Sequence, residues 1–522
     1  MTEFINQQLE LLYSSIPENE VRLHPPAKVK SQMLTLIKGV KPVNLQKPCR
    51  IGDGIIRIDE SKEKFLFELF ERACSAGRFT KFIPASGAAT RMFSKLQTTL
   101  NKFSNFDIEI LKVLSAEDKN VKATYRVISN INQFAFYEDL KTYLNDETEN
   151  LVLTNPRKVI EKILFADGLN YSNKPKAVLK FHKYQNDNRS AFIEHLIESY
   201  FYQKDVQNRI NIHFTISEEH KNYFDDEYKK FLNSKYFPDA KYNLEYSVQS
   251  KTTDSITLTL DNEIYFDENS RPLFRPAGHG ALLENLNNLK GDLIFIKNID
   301  NVCVDRLKPI TVKYKKLLAG FLLLIQKQVF EYLTLLEQEK FPDNKIDEMI
   351  KFLETFLNIP KPVRFNLWEL KKKRNFLFSK LNRPIRVCGV VKNEGQPGGA
   401  PFWVKQENGE LSLQIVESAQ VDFNNEEQKN IFNNSTHFNP VDLVCAVKDY
   451  KGENFNLLNF ADYDTSLIVH KTINDREIKS LELPGLWNGS MANWISVFVE
   501  VPIETFNPVK EIVDLFNTGH IE

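Results

Sequence analysis

Four short apolar segments constrain the fold of this chain more than any other feature, because a turn and then a stretch of helical periodicity follow each of them. The segments are KFIP (81–84), KAVLKFH (176–182), INIHFTIS (210–217) and GDLIFIK (291–297). Strands that alternate with helices form a mostly parallel sheet, and ligands bind such sheets at the carboxyl ends of the strands. The sequence therefore predicts an α/β fold with a site in the turns that follow these strands.

The rest of the chain predicts a three-part organisation around this α/β core. Residues 1–78 read as an N-terminal helical segment with a proline-containing connector, and 79–383 as the α/β domain. Polar helical sequence at about 95–168 predicts an insertion within that domain. Short β runs such as APFWVKQ and WISVFVEV predict a β-rich C-terminal region over 384–522.

Charge and composition exclude several functional classes. The 68 Lys and Arg against 69 Asp and Glu give a net charge of −1, which argues against a dedicated nucleic-acid binder. The five cysteines form no CxxC pair, so a disulfide framework or zinc knuckle is not expected. The acidic start MTEFINQQLELL is unlike a signal peptide, and the nine-residue apolar run 317–325 is shorter than the ~20 residues of a membrane span. We therefore expect a cytoplasmic protein without membrane partners; its oligomeric state is left open.

The turn after the first apolar segment predicts an anion-binding loop. Five small residues run from Ala85 to Ala89, so the backbone can approach a ligand and its N–H groups can surround an anion. Arg91 would place a cation at a helix start, which the helix dipole disfavours unless the guanidinium grips phosphate oxygens. The alternative is a tight packing turn with a surface arginine.

Three further segments carry polar residues at positions where chemistry could occur. Lys174-Pro175-Lys176 opens the second apolar segment and Arg189-Ser190 follows it; the alternative reading is a solvated charged turn. The glycine loop 275–280 precedes a helix and could clamp a base or a phosphate, or bind nothing. Asn298-Ile299-Asp300-Asn301 ends the last strand, where an aspartate can hold Mg²⁺ on phosphates or simply form a turn.

Taken in order, these segments resemble the UDP-sugar pyrophosphorylases, the eukaryotic-type uridylyltransferases that act on sugar 1-phosphates. The A-S-G-A-A-T-R-M-F run at 85–93 resembles their small-Gly-Gly-x-Gly-Thr-Arg-Leu-Gly loop, and 298–301 matches their Asn-x-Asp-Asn metal strand. Residues 175–177 resemble their Pro-Lys-Gly segment, 276–280 their Pro-Gly-His-Gly loop with one inserted alanine, and 506–510 their Phe-x-Pro-Val-Lys segment. The resemblance spans roughly 80–515 and suggests a bacterial branch of the family.

The resemblance implies a fold, a reaction and a set of site residues. The fold would be a nucleotidyltransferase domain, with a Rossmann-like, glycosyltransferase-A-like mixed sheet flanked by helices. The reaction would join a nucleoside triphosphate, UTP in this family, to a sugar 1-phosphate and release pyrophosphate. The implied residues are Arg91, Lys176 and Lys510 for catalysis; Ala85, Ser86, Gly87, Thr90, Gln249, Gly278 and His279 for the nucleotide; Glu417 and His437 for the sugar; and Asp300 for Mg²⁺.

The chain also departs from this family. Ser86, Ala89 and Phe93 stand where the family loop has glycine, which predicts a different loop path or a different nucleotide position, with Phe93 crowding the ligand. These departures motivate a second hypothesis, a nucleotide- or nucleotide-sugar-binding protein of the same fold without turnover. A glycosyltransferase is a third hypothesis, less favoured because that class usually holds its metal with a D-x-D pair.

Overall fold

A computed structural model describes residues 1–185, 187–339, 341–342, 344–395 and 398–522. The chain divides into two compact units, each assembled from three separate segments. Unit 1 comprises Met1–Phe70, Gln249–Phe295 and Leu317–Val501, and unit 2 comprises Glu71–Val248, Ile296–Lys316 and Pro502–Glu522. The three-part division made from the sequence stays a prediction.

The helices of the described residues fall in both units, with a long succession of them between 94 and 164. They are α1 (Thr2–Ser15), α2 (Glu18–Leu23), α3 (Pro26–Lys38), α4 (Glu60–Ser75), α5 (Ser94–Lys102), α6 (Ile108–Leu114), α7 (Lys119–Ser129), α8 (Tyr137–Tyr143), α9 (Thr148–Thr154), α10 (Pro156–Leu164), α11 (Ala191–Gln203), α12 (Lys221–Ser234), α13 (Leu282–Asn287), α14 (Lys308–Glu337), α15 (Lys345–Phe356), α16 (Leu370–Leu381) and α17 (Glu426–Asn433).

The strands of the described residues are short, and many of them lie after 384. They are β1 (Leu45–Pro48), β2 (Arg50–Ile51), β3 (Gly54–Ile56), β4 (Phe79–Pro84), β5 (Lys180–Lys183), β6 (Asn188–Ser190), β7 (Arg209–Ile216), β8 (Lys241–Val248), β9 (Ser255–Thr259), β10 (Phe274–Arg275), β11 (Leu293–Ile296), β12 (Ile385–Lys392), β13 (Ala400–Lys405), β14 (Leu411–Val416), β15 (His437–Ala446), β16 (Leu467–Ile473), β17 (Arg476–Glu482) and β18 (Ile495–Glu500).

Unit 2 is built on parallel strands in the order β4-β7-β8. Helix α11 packs against β4 and β7, and the Ser190 hydroxyl accepts from the Ile193 N–H at its start. The side chains of this helix and sheet form one buried apolar core with α5 to α10. The segment 176–182, predicted as a strand beside these, instead forms a short 3₁₀ turn, Lys176–Val178, and then the hairpin strand β5 paired with β6.

Unit 1 contains a mixed sheet in the order β2-β3-β18-β12-β15-β11. Strand β12 pairs parallel with β18 and antiparallel with β15. Two antiparallel sheets, β1-β13-β14 and β10-β9-β17-β16, complete this unit, and α1 and α3 bury their apolar faces together with β9. Both units combine sheets with helices, so the predicted α/β class with a mixed sheet flanked by helices is confirmed.

Residues 1–78 differ from the helical segment expected there, because they also contain β1, β2 and β3. Strand β1 pairs with β13 and β3 pairs with β18, so each strand gains its hydrogen bonds from residues several hundred positions away. The local sequence LQKP has little strand propensity and a proline. Tertiary pairing therefore fixes this secondary structure, and the local pattern does not show it.

One helix of the described residues is long and apolar enough to cross a membrane by length and composition. It runs over Asp305–Glu337, and 67% of its most apolar window is buried inside the protein. Such burial is typical of a core helix, since a lipid-facing span would expose its apolar side chains to the bilayer. The cytoplasmic location stays a prediction.

Candidate active site

The loop after β4 in unit 2 follows a path that does not need the missing glycines. The Ala85 N–H donates to the Thr215 carbonyl at 2.9 Å, and the Ser217 hydroxyl donates to the Ser86 carbonyl at 3.1 Å. No residue from 85 to 93, all of them described, has a positive φ angle. The left-handed conformation that would penalise serine or alanine is therefore not used.

The burial of the Phe93 side chain accounts for the path at the end of this loop. This residue ends the 3₁₀ turn Ala89–Phe93, and its ring is buried in the core of unit 2, with a centroid 5.9 Å from that of Tyr171. Ala89 and Met92 are buried on the same side. The predicted crowding of a ligand by Phe93 is therefore wrong, because an apolar ring gains more from the core than from a solvent-facing loop.

The exposed side of the same turn presents Thr90 and Arg91. Among the described residues, no hydrogen bond or ion pair of the Arg91 guanidinium fixes it to the protein. The Thr90 hydroxyl makes only a long contact of 3.5 Å with the Ser172 carbonyl. An exposed guanidinium beside a loop of small residues can bind phosphate oxygens in a bidentate manner.

Lys176 lies directly beside this loop. Its N–H donates to the Gly87 carbonyl at 3.2 Å, and the Ala89 N–H donates to the Lys174 carbonyl at 3.1 Å. Ala88 and Pro175 form an isolated bridge between these two contacts. Two segments that are far apart in the sequence thus form one backbone arrangement.

The Lys176 side chain reaches a third segment. Its Nζ lies 2.9 Å from Oδ2 of Asp300 and donates to the Val509 carbonyl at 2.8 Å. The lysine and aspartate side chains are 16% and 18% exposed, so the pair is mostly shielded but can still be reached from solvent. The Val509 N–H in turn donates to the Asp300 carbonyl at 3.1 Å.

Lys510 follows Val509 on the exposed side of this group. Its N–H donates to Oδ2 of Asp514, which caps the 3₁₀ turn Ile512–Phe516 together with Glu511. The backbone and side-chain contacts among 87–89, 174–176, Asp300 and Val509 form one group in unit 2. Each of the three predicted cations, Arg91, Lys176 and Lys510, lies in this group or within two residues of it. Lys176 contacts the Asp300 carboxylate, and Arg91 and Lys510 lie on the neighbouring segments, so this group supplies cations suited to binding a polyanion.

Asp300 is also the residue on which the magnesium prediction depends. One of its oxygens contacts Lys176, and no cluster of three or more His, Cys, Asp or Glu side chains able to hold a metal exists among the described residues. Mg²⁺ in nucleotide enzymes usually takes one or two carboxylates and completes its coordination with phosphates and water. The second oxygen of Asp300 fits that use, so these residues suit a phosphate-bound Mg²⁺ better than a metal held by protein alone.

Unit 1 brings together three other predicted residues: Gly278, His279 and Glu417. Gly278 has a φ of 72°, and a Cβ there would lie 3.1 Å from Oε2 of Glu482. The His279 ring stacks on Trp487 at 4.8 Å. Burial lowers the pKa of His279, although Glu417 and Glu482 oppose that shift, so the ring is neutral.

Hydrogen bonds fix the orientation of these side chains. Nδ1 of His279 accepts from the Leu486 N–H at 3.0 Å, so the ring proton is on Nε2. The Asn488 amide donates to the Glu417 carboxylate at 2.6 Å. The Glu417 carboxylate also accepts from the backbone N–H of Gln420, so these polar side chains are held in fixed orientations.

The two remaining predicted residues, Gln249 and His437, make different contacts from those described above. Gln249 follows β8, and its amide makes a long contact of 3.4 Å with the Thr253 hydroxyl. His437 is buried at the start of β15, where it contacts Thr436 at 2.9 Å and Glu500 at 3.4 Å. Burial lowers the pKa of His437. Its contacts are those of a structural residue, and its predicted role with the sugar stays a prediction.

A family model described as Domain of unknown function (DUF4301) matches residues 16–521. The chain belongs to this family. Comparison with curated proteins returned no match.

Solved structures with a similar fold include two UDP-sugar pyrophosphorylases. The uridine diphosphate N-acetylglucosamine pyrophosphorylase of Trypanosoma brucei is 12% identical over 92% of this chain and 71% of its own, with a TM-score of 0.44. A mutant UDP-glucose pyrophosphorylase of Leishmania major, in complex with UDP-glucose, is 13% identical over 97% and 78%, with a TM-score of 0.41. Because both TM-scores are below 0.5, this likeness carries nothing about the substrate or activity of the DUF4301 chain.

Sequence reasoning missed two buried charge clusters in unit 2 of this DUF4301 chain. In the first, the Glu198 carboxylate lies 3.2 Å from Lys81, 2.8 Å from Lys297 and 3.8 Å from Lys315. The signal was present, since Lys81 stands within KFIP and Lys297 ends LIFIK. A lysine inside a buried strand pattern needs a buried carboxylate somewhere in the fold.

The second cluster surrounds Arg189, which the sequence allowed to be a solvated turn. That interpretation is wrong: Arg189 is buried, it lies 2.9 Å from both Asp187 and Asp305, and its guanidinium stacks on the Tyr184 ring. The side chain is buried because the hairpin that carries Tyr184 and Asp187 and the distant Asp305 supply its partners, and the contact with Asp305 could not be assigned from the local sequence.

Proposed function

We propose that this chain is a nucleotidyltransferase that joins a nucleoside triphosphate, UTP by resemblance, to a sugar 1-phosphate. The products would be a nucleoside-diphosphate sugar and pyrophosphate. One observation carries the proposal: Lys176 contacts both Asp300 and Val509 while its backbone bonds to the loop 85–89. Three segments singled out from the sequence for phosphate chemistry, and the segment 506–510 named by resemblance, meet at this lysine.

The reaction suits such a group of residues. An oxygen of the sugar phosphate attacks the α-phosphorus in line, and the bond from that phosphorus to the bridging oxygen breaks, so pyrophosphate leaves with the electron pair. The protein needs to supply alignment and charge neutralisation, because two polyanions must meet. Arg91 would hold the leaving phosphates, while Lys176 and Lys510 would neutralise the α-phosphate and the sugar phosphate.

Mg²⁺ belongs to the proposal through Asp300. This carboxylate would hold the ion on the triphosphate, and the ion would supply further charge neutralisation. Lys176 fixes the orientation of the Asp300 side chain. In unit 1, the roles of Gly278 and Gln249 toward the base and of Glu417 toward sugar hydroxyls are proposed by resemblance alone.

The test is pyrophosphate release by the purified full-length protein with Mg²⁺, for four nucleoside triphosphates against a panel of sugar 1-phosphates. Release with one pair, lost in Lys176→Met and kept in Lys119→Met, supports the proposal. Lys119 lies at the exposed start of α7 in the same unit and is a matched surface control.

Silence across the panel would contradict the transferase. A rise in melting temperature with a triphosphate or nucleotide sugar would then favour the binding protein without turnover.

A further inference from the structure

A chain of buried hydrogen bonds in unit 2 ends on the segment that carries Lys510. His182 lies in β5, and its Nε2 is 2.8 Å from Nδ1 of His520. The two rings are 0% and 4% exposed. Residues 182 and 520 are 338 positions apart in the sequence, so the fold alone brings them together.

The His520 ring is neutral and is bonded on two sides. Burial, and then the neighbouring His182, lower the pKa of His520 to about 3, so the ring is neutral and carries one proton. The His520 ring also hydrogen-bonds the backbone of Asn507. His520 therefore links two segments, with Nδ1 bonded to the His182 ring and the ring's other side bonded to the backbone of Asn507.

Glu194 anchors the other side of His182. Its carboxylate lies 2.8 Å from Nδ1 of His182 and 2.6 Å from Nζ of Lys308, and the Tyr184 hydroxyl donates to it at 2.8 Å. Burial would raise the pKa of Glu194, but Lys308 and His182 together hold it well below its usual range. An ionised carboxylate with three partners is a fixed acceptor, which sets the His182 ring in one orientation.

Asn507 connects this chain of hydrogen bonds to the candidate active site. Its N–H donates to the side-chain oxygen of Asn301 at 2.8 Å. Gly519 packs so closely that a Cβ there would lie 2.0 Å from Oδ1 of Asn507. Two residues further on, Val509 bonds to both Asp300 and Lys176.

We propose that His520, oriented by His182 and Glu194, is a positioning residue that holds the segment 507–510 in place for the phosphate chemistry of Lys176 and Lys510. The inference rests on the proposed function. It assigns to the segment 517–521 a role in the active site, although none of its residues is expected to touch a substrate.

The experiment compares three substitutions of His520 in the full-length protein. In His520→Gln the longer side chain can still donate to the backbone of Asn507, whereas in His520→Asn the shorter side chain reaches only His182. His520→Ala removes both contacts. His470→Ala, at an exposed histidine of β16 in unit 1, is the control.

We expect kcat for pyrophosphate release to fall about tenfold or more in the Ala and Asn variants, with a smaller change in KM, and to be kept within about threefold in the Gln variant. A merely structural histidine would not separate Gln from Asn in this way. Equal activity of all three variants and the wild type would overturn the proposal.

Amide hydrogen exchange without substrate separates this inference from the proposed function. The N–H groups of Asn507 and Val509 should exchange at least about tenfold faster in His520→Ala, while those of β4 and β7 stay protected. Unchanged exchange at 507–510 overturns the positioning role, even in an active enzyme. If exchange is faster in His520→Ala but the wild type turns over no substrate pair, His520 does hold the segment 507–510 in place. Only the proposed function is then contradicted.

Discussion

Lys176 and Asp300 form an ion pair of 2.9 Å across 124 positions of sequence, and the same ammonium donates to the carbonyl of Val509. Each partner comes from a different segment of unit 2. A mostly shielded lysine that donates to one carboxylate and one carbonyl keeps its third proton for a further acceptor. A phosphate oxygen is the acceptor that the proposed function supplies.

Arg91 should be needed for turnover and dispensable for folding. We expect Arg91→Ala to lower kcat at least ~100-fold, because a preorganised cation at developing charge contributes a few kcal/mol to transition-state stabilisation. Its side chain is exposed, so the melting temperature should stay at the wild-type value. Arg271→Ala, at an exposed arginine of unit 1, is the control, and near-wild-type turnover of Arg91→Ala would refute the role.

The glycines of the two candidate loops should differ sharply in their tolerance of alanine. A Cβ at Gly87 meets nothing within 4 Å, so Gly87→Ala should change the free energy of unfolding by less than about 0.5 kcal/mol. A Cβ at Gly280 would lie 2.1 Å from the Pro484 carbonyl oxygen, and we expect a loss of about 2 kcal/mol or more. Urea unfolding of both variants measures this, and equal stability would contradict the packing described for the second loop.

In the buried Glu198 cluster, substitution of the carboxylate should reduce stability more than substitution of one lysine. Glu198→Gln removes the carboxylate shared by Lys81, Lys297 and Lys315, and we expect it to destabilise the protein by about 3–5 kcal/mol. Lys81→Met should be far milder, because it removes one of three buried cations and leaves a side chain of similar length. Urea unfolding of the two variants at pH 7 compares their free energies of unfolding. A larger loss of stability for Lys81→Met would contradict the inference that the shared carboxylate contributes more than one of the three lysines.

Lys81 should also make stability depend on pH. Burial is the main cause that lowers the pKa of Lys81 to about 7, against 10.5 in the unfolded chain. Between these values the unfolded state binds more protons than the folded state, so the contribution of Lys81 to stability rises with pH from about 7 toward 10. We therefore expect the wild type to gain stability relative to Lys81→Met over this range, measured by urea unfolding at several pH values. A difference that is flat or falls with pH would exclude a buried, easily deprotonated lysine.

The sequence predicted those parts of the site that depend on local motifs. The loop 85–91 and Asp300 were identifiable because a small-residue turn or a polar turn after an apolar strand leaves a pattern within a few residues. Lys176 was identifiable in a charged turn that opens an apolar segment, and Lys510 was named through the family resemblance alone. The position of the loop 85–91 at the carboxyl end of β4 follows from the alternation of strands and helices, whereas the contacts of Lys176 and Val509 involve segments outside the parallel strands.

Other features depend on contacts that no local pattern records. No sequence pattern links His182 to His520, and only the fold makes them neighbours. Arg189 resembled a surface residue because its partners Asp305 and Tyr184 lie on other segments or across a hairpin turn. Phe93 was misassigned because the periodicity of a 3₁₀ turn is too short to show which side faces the core.

The division of unit 2 into three segments has a consequence for the order of events during translation. A nascent chain that has emerged only as far as residue 501 contains the loop 85–91, Lys176 and Asp300, but it lacks Val509 and His520. The ammonium of Lys176 then has no carbonyl partner, and the core of unit 2 has no Ile512 or Leu515 to cover it. Synthesis of the whole intervening part of unit 1 must therefore precede closure of the group around Lys176, so under the proposed function a truncated or stalled chain would not bind nucleotide.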